Sequence, residues 1–107
     1  MKLKHIILLF FLFFLITAPI YSTTSDEQFF QKIHKVPYHT NGSPPQTPIQ
    51  FWSKGKGDCD DKSIAYADYL LFNNKESTIV TRQGSNGVHS FIIYNNSVYD
   101  PTWATTI

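Results

Sequence analysis

The longest apolar run lies near the start of the chain, where residues 6–16 read IILLFFLFFLI. Beyond it the hydrophobic positions become periodic. In residues 23–36, TTSDEQFFQKIHKV, Phe29, Phe30 and Ile33 fall at i, i+1 and i+4, the spacing of a helix that docks one face. Ser25 stands before them as a cap, with Gln28 three residues on to complete a capping box. Residues 37–48 contain Pro37, Pro44, Pro45 and Pro48 with the Asn41-Gly42 pair, which predicts loop or extended chain. Residues 59–72, CDDKSIAYADYLLF, place Ile64, Ala67 and Leu71, and Ala65, Tyr69 and Phe72, at helical spacing with a broad apolar face. Asp60 and Asp61 fall in the first turn, where they complement the positive helix end, and Asn73-Asn74 ends the helix. Residues 78–82, TIVTR, and 88–94, VHSFIIY, then read as strands around the loop QGSNG at 83–87. Asn95-Asn96 is a two-residue turn signal, and SVYDPT begins a third strand that Pro101 stops. The predicted fold class is α+β, one main helix packed on a small antiparallel sheet.

The first apolar run belongs to none of these elements. Lys2 and Lys4 precede it, and Pro19 with the small residue Ser22 follows. A basic start, a short apolar stretch and a helix breaker before a small residue describe a secretory signal peptide, with cleavage expected near Ser22. No lipid-attachment cysteine stands there. Eleven residues are short of the roughly 20 that a spanning helix needs. Counted from Leu3 to Ile20 the segment has 18, so an uncleaved membrane anchor is the alternative. The chain thus divides into 1–22, the signal peptide or anchor, 23–50, an N-terminal helix and Pro-rich loop, and 51–107, the domain that carries the chemistry. The protein is expected to be exported, in contact with the membrane only if the N-terminal segment is retained.

Composition sharpens this picture. The 107 residues are 42% hydrophobic and 16% charged, with a formal net charge of +1. That balance excludes a disordered charged tail. One arginine and no basic cluster argue against a nucleic-acid module. Without residues 1–22 there remain 85 residues with 7 basic and 8 acidic side chains, a net charge of −1. Exported domains this small usually rely on disulfides, yet the chain has a single cysteine. A lone cysteine in an exported protein flags a reactive thiol.

That cysteine, Cys59, falls at the start of the main helix, where unpaired N–H groups and the helix dipole favour a thiolate. Gly57 just before it permits close backbone approach. A tight turn at Asn95-Asn96 places Ile93 opposite Val98 and Phe91 opposite Asp100. His89, Phe91, Ile93, Val98 and Asp100 then share one face, with His89 diagonal to Asp100 at about 7–8 Å by backbone. An imidazole oriented by a carboxylate is the usual form of a general base. Because this face also carries Phe91, Ile93 and Val98, it is expected to pack on the helix and bring the pair towards Cys59.

The strings GKGDCDDKSIAYADYLL and VHSFIIYNNSVYDPTW resemble the transglutaminase-like cysteine peptidase superfamily, in particular its small bacterial and archaeal members. Gly57, Cys59 and Asp61 match its Gly-x-Cys-x-Asp block, His89 the second block, and Asp100 with Pro101-Thr102 the third; the similarity spans about residues 50–103. The resemblance implies a papain-like core and a Cys59-His89-Asp100 triad. Cys59 would attack an amide or acyl carbonyl after losing its proton to His89, with Asp100 orienting the imidazole, and a thioester would form and be resolved. The substrate is then a protein or peptide, and no metal or cofactor takes part. The oxyanion hole would include the Cys59 backbone N–H, with Gln46, Gln50 or the Trp52 indole as candidate second donors and Asp61 in a supporting role. The chain is short before the cysteine, so the upstream donor and cleft are reduced relative to the family.

Blander readings stand beside these. A cysteine at a helix start is more often a small buried hydrophobe, and Asp100 before a proline can simply end a strand. His34 and His39 lie outside every block and read as surface residues; Trp52 and Trp103 read as core anchors. Metal ligation by Cys59, His89, Asp100 and Asp61 matches no standard spacing. A catalytically silent binding domain on the same fold is the more serious alternative. Among enzymes, hydrolysis is preferred over amine transfer, because a small shallow site does not readily exclude water.

Overall fold

The computed structural model describes residues 25–85 and 87–106. The expected signal segment, 1–22, lies outside them. Among the described residues no helix is long and apolar enough to cross a membrane. Among the described residues three helices, α1 (Asp26–His34), α2 (Pro48–Lys54) and α3 (Cys59–Phe72), precede four strands, β1 (Thr78–Gly84), β2 (Gly87–Tyr94), β3 (Ser97–Asp100) and the two-residue β4 (Thr105–Thr106). The strands form one antiparallel sheet in sequence order. The fold is α+β.

Each helix begins with a complete capping box: Ser25 with Gln28, Thr47 with Gln50, and Asp58 with Asp61. The second of these starts a helix absent from the sequence reading. Its signal was Thr47-Pro48-Ile49-Gln50, a box with proline in the first turn, inside a stretch read as loop. The helix also spans residues 50 and 51, so the segments before and after them pack as one unit among the described residues.

The core confirms that unity. Phe29, Phe30 and Ile33 of α1, Phe51 of α2, Ala65, Tyr66, Tyr69 and Leu70 of α3, and Ile92 of β2 form one buried cluster. Phe29 stacks on Tyr69 with ring centroids 4.1 Å apart, and Phe30 meets Tyr66 edge to face at 5.3 Å. At the polar edge of this layer Tyr69 Oη donates to Asp26 Oδ1 (2.9 Å) and Lys75 pairs with Asp26 Oδ2 (2.5 Å). Lys62 is buried on α3, and its ammonium donates to the His34 carbonyl at the end of α1 (3.0 Å). Burial pushes its pKa down.

The turn at Asn95-Asn96 forms as expected, with positive φ at both residues (51° and 62°) and Ile93 opposite Val98. The buried face is the other one, however. Ser90 and Ile92 of β2 are fully buried and α3 packs on this strand, whereas Ile93 is exposed. Tyr99, opposite Ile92, lies against Phe30 and Tyr66 with centroids 6.0 Å away in each case. The string VHSFIIY is apolar on both faces, so alternation could not choose between them; the tyrosine rings of β3 and α3 did.

Gly57 is held between layers. A parallel bridge joins it to Tyr38, with the His39 N–H donating to Gly57 O (2.9 Å) and the Gly57 N–H donating to Pro37 O (3.2 Å). A Cβ at this position would sit 2.7 Å from the Phe51 ring and 2.8 Å from Asp61 Cβ. Space, not an unusual φ, therefore requires glycine here. Gly57→Ala is expected to destabilise the fold by about 1–3 kcal/mol, read as a lowered denaturant midpoint at unchanged m. An unchanged midpoint would show that Phe51 yields freely.

Candidate active site

Cys59 is the first residue of α3 and is 7% exposed. Its approach is fixed by Asp61, which is 0% exposed. The Asp61 carboxylate accepts from the Asp58 backbone N–H (3.0 Å), the Gln46 backbone N–H (2.7 Å) and Gln46 Nε2 (3.0 Å). Burial disfavours the Asp61 anion, but these N–H donors outweigh it and hold the carboxyl below its ordinary value. Burial also pushes the Asp58 carboxyl up, with the Asp61 charge adding to it, against backbone donors that include Asn41. Asp61 thus supports the loop that presents Cys59 and does not face a common site with His89 and Asp100.

His89 and Asp100 meet as their shared face predicts. His89 Nε2 lies 2.6 Å from Asp100 Oδ2. An ionised carboxylate can only accept, so Nε2 carries the hydrogen and Nδ1 holds the basic lone pair. Asp100 is buried, and its Oδ1 accepts from the backbone N–H groups of Thr102 (3.1 Å) and Trp103 (3.4 Å). The strand-ending turn and the histidine contact are thus made by the same side chain through different oxygens.

The helix packs on the face of β2 opposite to that of His89. The backbone N–H of Ser90, the residue after His89, faces the Cys59 sulfur. The Ser90 hydroxyl is buried, bonded to the Asp60 carboxylate and 2.9 Å from Thr81 Oγ1. These contacts tie the first turn of α3 to β2 and β1.

The expected lowering of the thiol pKa does not hold. Burial pushes the Cys59 thiol up, and the Asp60 and Asp58 charges push the same way. The N–H groups of Ser90 and Asp60 pull down but do not win. The same first-turn carboxylates that complement the helix dipole repel the thiolate. At neutral pH Cys59 is a thiol, and a nucleophile forms only as a base removes its proton.

The other sequence-derived candidates separate clearly. Gln46 is buried and spends its Nε2 on Lys56 O (2.9 Å) and Asp61. Gln50 is exposed and closes the cap of α2 onto the Thr47 N–H (3.1 Å). Trp52 packs on Phe29 and Phe51, with the Lys32 ammonium 5.2 Å from its ring. None of these contacts brings Gln50 or Trp52 to Cys59. His39 is exposed as expected, but His34 is half-buried, with Nδ1 3.1 Å from Pro101 O. Trp103 is 70% exposed and is no core anchor; its ring lies 6.5 Å from that of His89. Among the described residues no group of three His, Cys, Asp or Glu side chains is placed to hold a metal ion.

Sequence reasoning missed Tyr38. It lines a groove of about 470 Å³ with His89, Thr102 and Trp103. That volume is in the range of ligand clefts. Nothing in the Pro-rich stretch marked this tyrosine, because only the bridge to Gly57 carries it to the cysteine. Comparison with known proteins finds no matching family model, no matching curated protein and no matching solved structure.

Because the thiol is shifted up, alkylation of Cys59 by iodoacetamide is expected to be slow at neutral pH and to rise with a midpoint above the ordinary thiol value of about 8.5. Asp60→Asn removes one repelling charge and should move that midpoint down. A wild-type midpoint below the ordinary value would contradict the electrostatics described. Gln46→Ala leaves the Asp61 carboxylate short of a donor and is expected to cost about 1–3 kcal/mol of stability in denaturant unfolding.

Proposed function

We propose that the protein is a thiol enzyme of the transglutaminase-like type, with a papain-like core, that cleaves amide bonds of a protein or peptide through Cys59, His89 and Asp100. The observation that carries this reading is the 2.6 Å His89–Asp100 contact beside a thiol whose sulfur faces the neighbouring residue of the same strand. The expected export of the chain through residues 1–22 fits an enzyme acting on proteins outside the cytoplasm.

His89 Nδ1 takes the Cys59 proton as the sulfur attacks the carbonyl carbon. The Asp100 charge stabilises the imidazolium that results. The C–S bond forms, the carbonyl electrons move to oxygen, and the Cys59 N–H at the helix start faces that oxyanion. Collapse breaks the C–N bond as the imidazolium returns its proton to the departing amine. Water then repeats the sequence on the thioester, with His89 again as base. The raised thiol pKa leaves little thiolate at neutral pH, so attack depends on His89 as base. Hydrolysis is favoured over amine transfer by the openness of the site, since Tyr38 and Trp103 at the groove are both exposed.

Peptide mixtures incubated with the protein, with and without an added primary amine, should show cleavage and no amine incorporation. Cys59→Ala should abolish cleavage. Asp100→Asn keeps an acceptor for the Thr102 N–H but loses the charge, and should lower kcat by about 10²- to 10⁴-fold. Incorporation without cleavage would make the protein an amine transferase. Neither product, with wild type and Cys59→Ala alike, would leave a silent binding domain.

A further inference from the structure

The oxyanion of the proposed reaction has one donor on the helix, the Cys59 N–H, and the upstream side chains expected to supply a second are held elsewhere. Gln46 Nε2 is bonded to Lys56 O and Asp61, and Gln50 closes a helix cap. Tyr38 has the placement they lack. Its backbone is bridged to Gly57, two residues before Cys59, by one hydrogen bond on either side, through His39 and Pro37. The Asn41 N–H, three residues further on, donates to Asp58 Oδ2 (3.2 Å), so the loop is anchored to the approach of the cysteine at two points. From there the ring lines the groove beside His89, and the phenol oxygen faces the Cys59 backbone N–H. The position that this N–H offers to a substrate oxygen is held by the Tyr38 hydroxyl until a carbonyl enters. The residue is 56% exposed, so its side chain can turn aside when a carbonyl enters.

We propose that Tyr38 is a catalytic residue, its phenol O–H serving as the second donor to the oxyanion formed when Cys59 attacks a carbonyl. The inference rests on the Cys59-His89-Asp100 reading. In the attack the thiol proton passes to His89, the C–S bond forms and the carbonyl π pair moves to oxygen. Tyr38 donates a hydrogen bond to that oxygen without giving up its proton. Burial and the nearby Asp58 and Asp60 carboxylates push the phenol's pKa up, which keeps the proton on the ring at neutral pH.

Two reactions at the same sulfur test this. Acylation of Cys59 by p-nitrophenyl acetate passes through an oxyanion; alkylation by iodoacetamide does not. Both rates are measured at one pH on the full chain, on Tyr38→Phe and on N-acetylcysteine as the free thiol. The expected result is an acylation-to-alkylation ratio well above that of the free thiol in wild type. In Tyr38→Phe that ratio should fall by about 10²- to 10³-fold with alkylation unchanged. A high wild-type ratio that survives in Tyr38→Phe overturns the role of Tyr38 and leaves the enzyme reading standing. Loss of alkylation together with acylation places Tyr38 on the thiol and not on the oxyanion, and also overturns it. A wild-type ratio equal to that of N-acetylcysteine overturns the enzyme reading, and Tyr38 with it. Phenylalanine keeps the ring of an exposed residue, so folding of the variant is checked simply by an unchanged denaturant midpoint.

Discussion

The buried carboxylate of Asp61 is the contact on which the rest of the arrangement depends. It has no exposure to water, so its charge is tolerated only because three N–H donors converge on it. Those donors come from two places in the sequence, the Gln46 loop and the Asp58 cap. Their convergence therefore does two things at once. It closes the N-terminus of α3, and it pins the segment 46–58, α2 included, against the first turn of that helix. Gly57 passes through the narrow space that remains, between Phe51 and Asp61 itself. The thiol is presented where it is because the chain has no other path into the helix.

On the sheet side the determining event is the end of β3. The ladder between β2 and β3 closes at Ile92 opposite Tyr99, and Asp100 is the next residue before Pro101. Proline cannot continue a ladder, so the chain turns, and Asp100 stabilises the turn with one oxygen. The other oxygen is left to hold His89. A side chain fixed at both oxygens orients the imidazole more firmly than one held by the histidine alone. His34 adds a further tie from α1 to the Pro101 carbonyl.

Electrostatics at the sulfur run against the simple helix-end expectation. The dipole and the facing N–H groups favour a thiolate, but burial and two adjacent carboxylates outweigh them. The consequence is chemical. The thiol is held protonated at neutral pH, so any reaction at this sulfur calls for a base to take its proton. An exposed thiolate is open to oxidation, whereas a buried thiol is protected.

Much of this was legible in the residues. The α1 periodicity at Phe29, Phe30 and Ile33, the helix from Cys59 to Phe72, the Asn95-Asn96 turn and the parity that joins His89 to Asp100 are all local. They are set by spacing, capping and turn chemistry over a few residues. Three things were not local. Which face of VHSFIIY is buried was decided by Tyr66 and Tyr99, rings contributed by other elements, because the strand is apolar on both faces. The exposure of Trp103 depends on how the chain leaves β3, not on its own hydrophobicity. Tyr38 reaches the groove only through a bridge to Gly57, 19 positions along the chain, and no sequence spacing encodes such a contact. The sequence by itself determined α1, α3, the first three strands and the pairing of His89 with Asp100. Only the tertiary structure decided the direction of the thiol's pKa and what surrounds it, because burial and charge at a point in space are summed over residues that the chain order keeps apart.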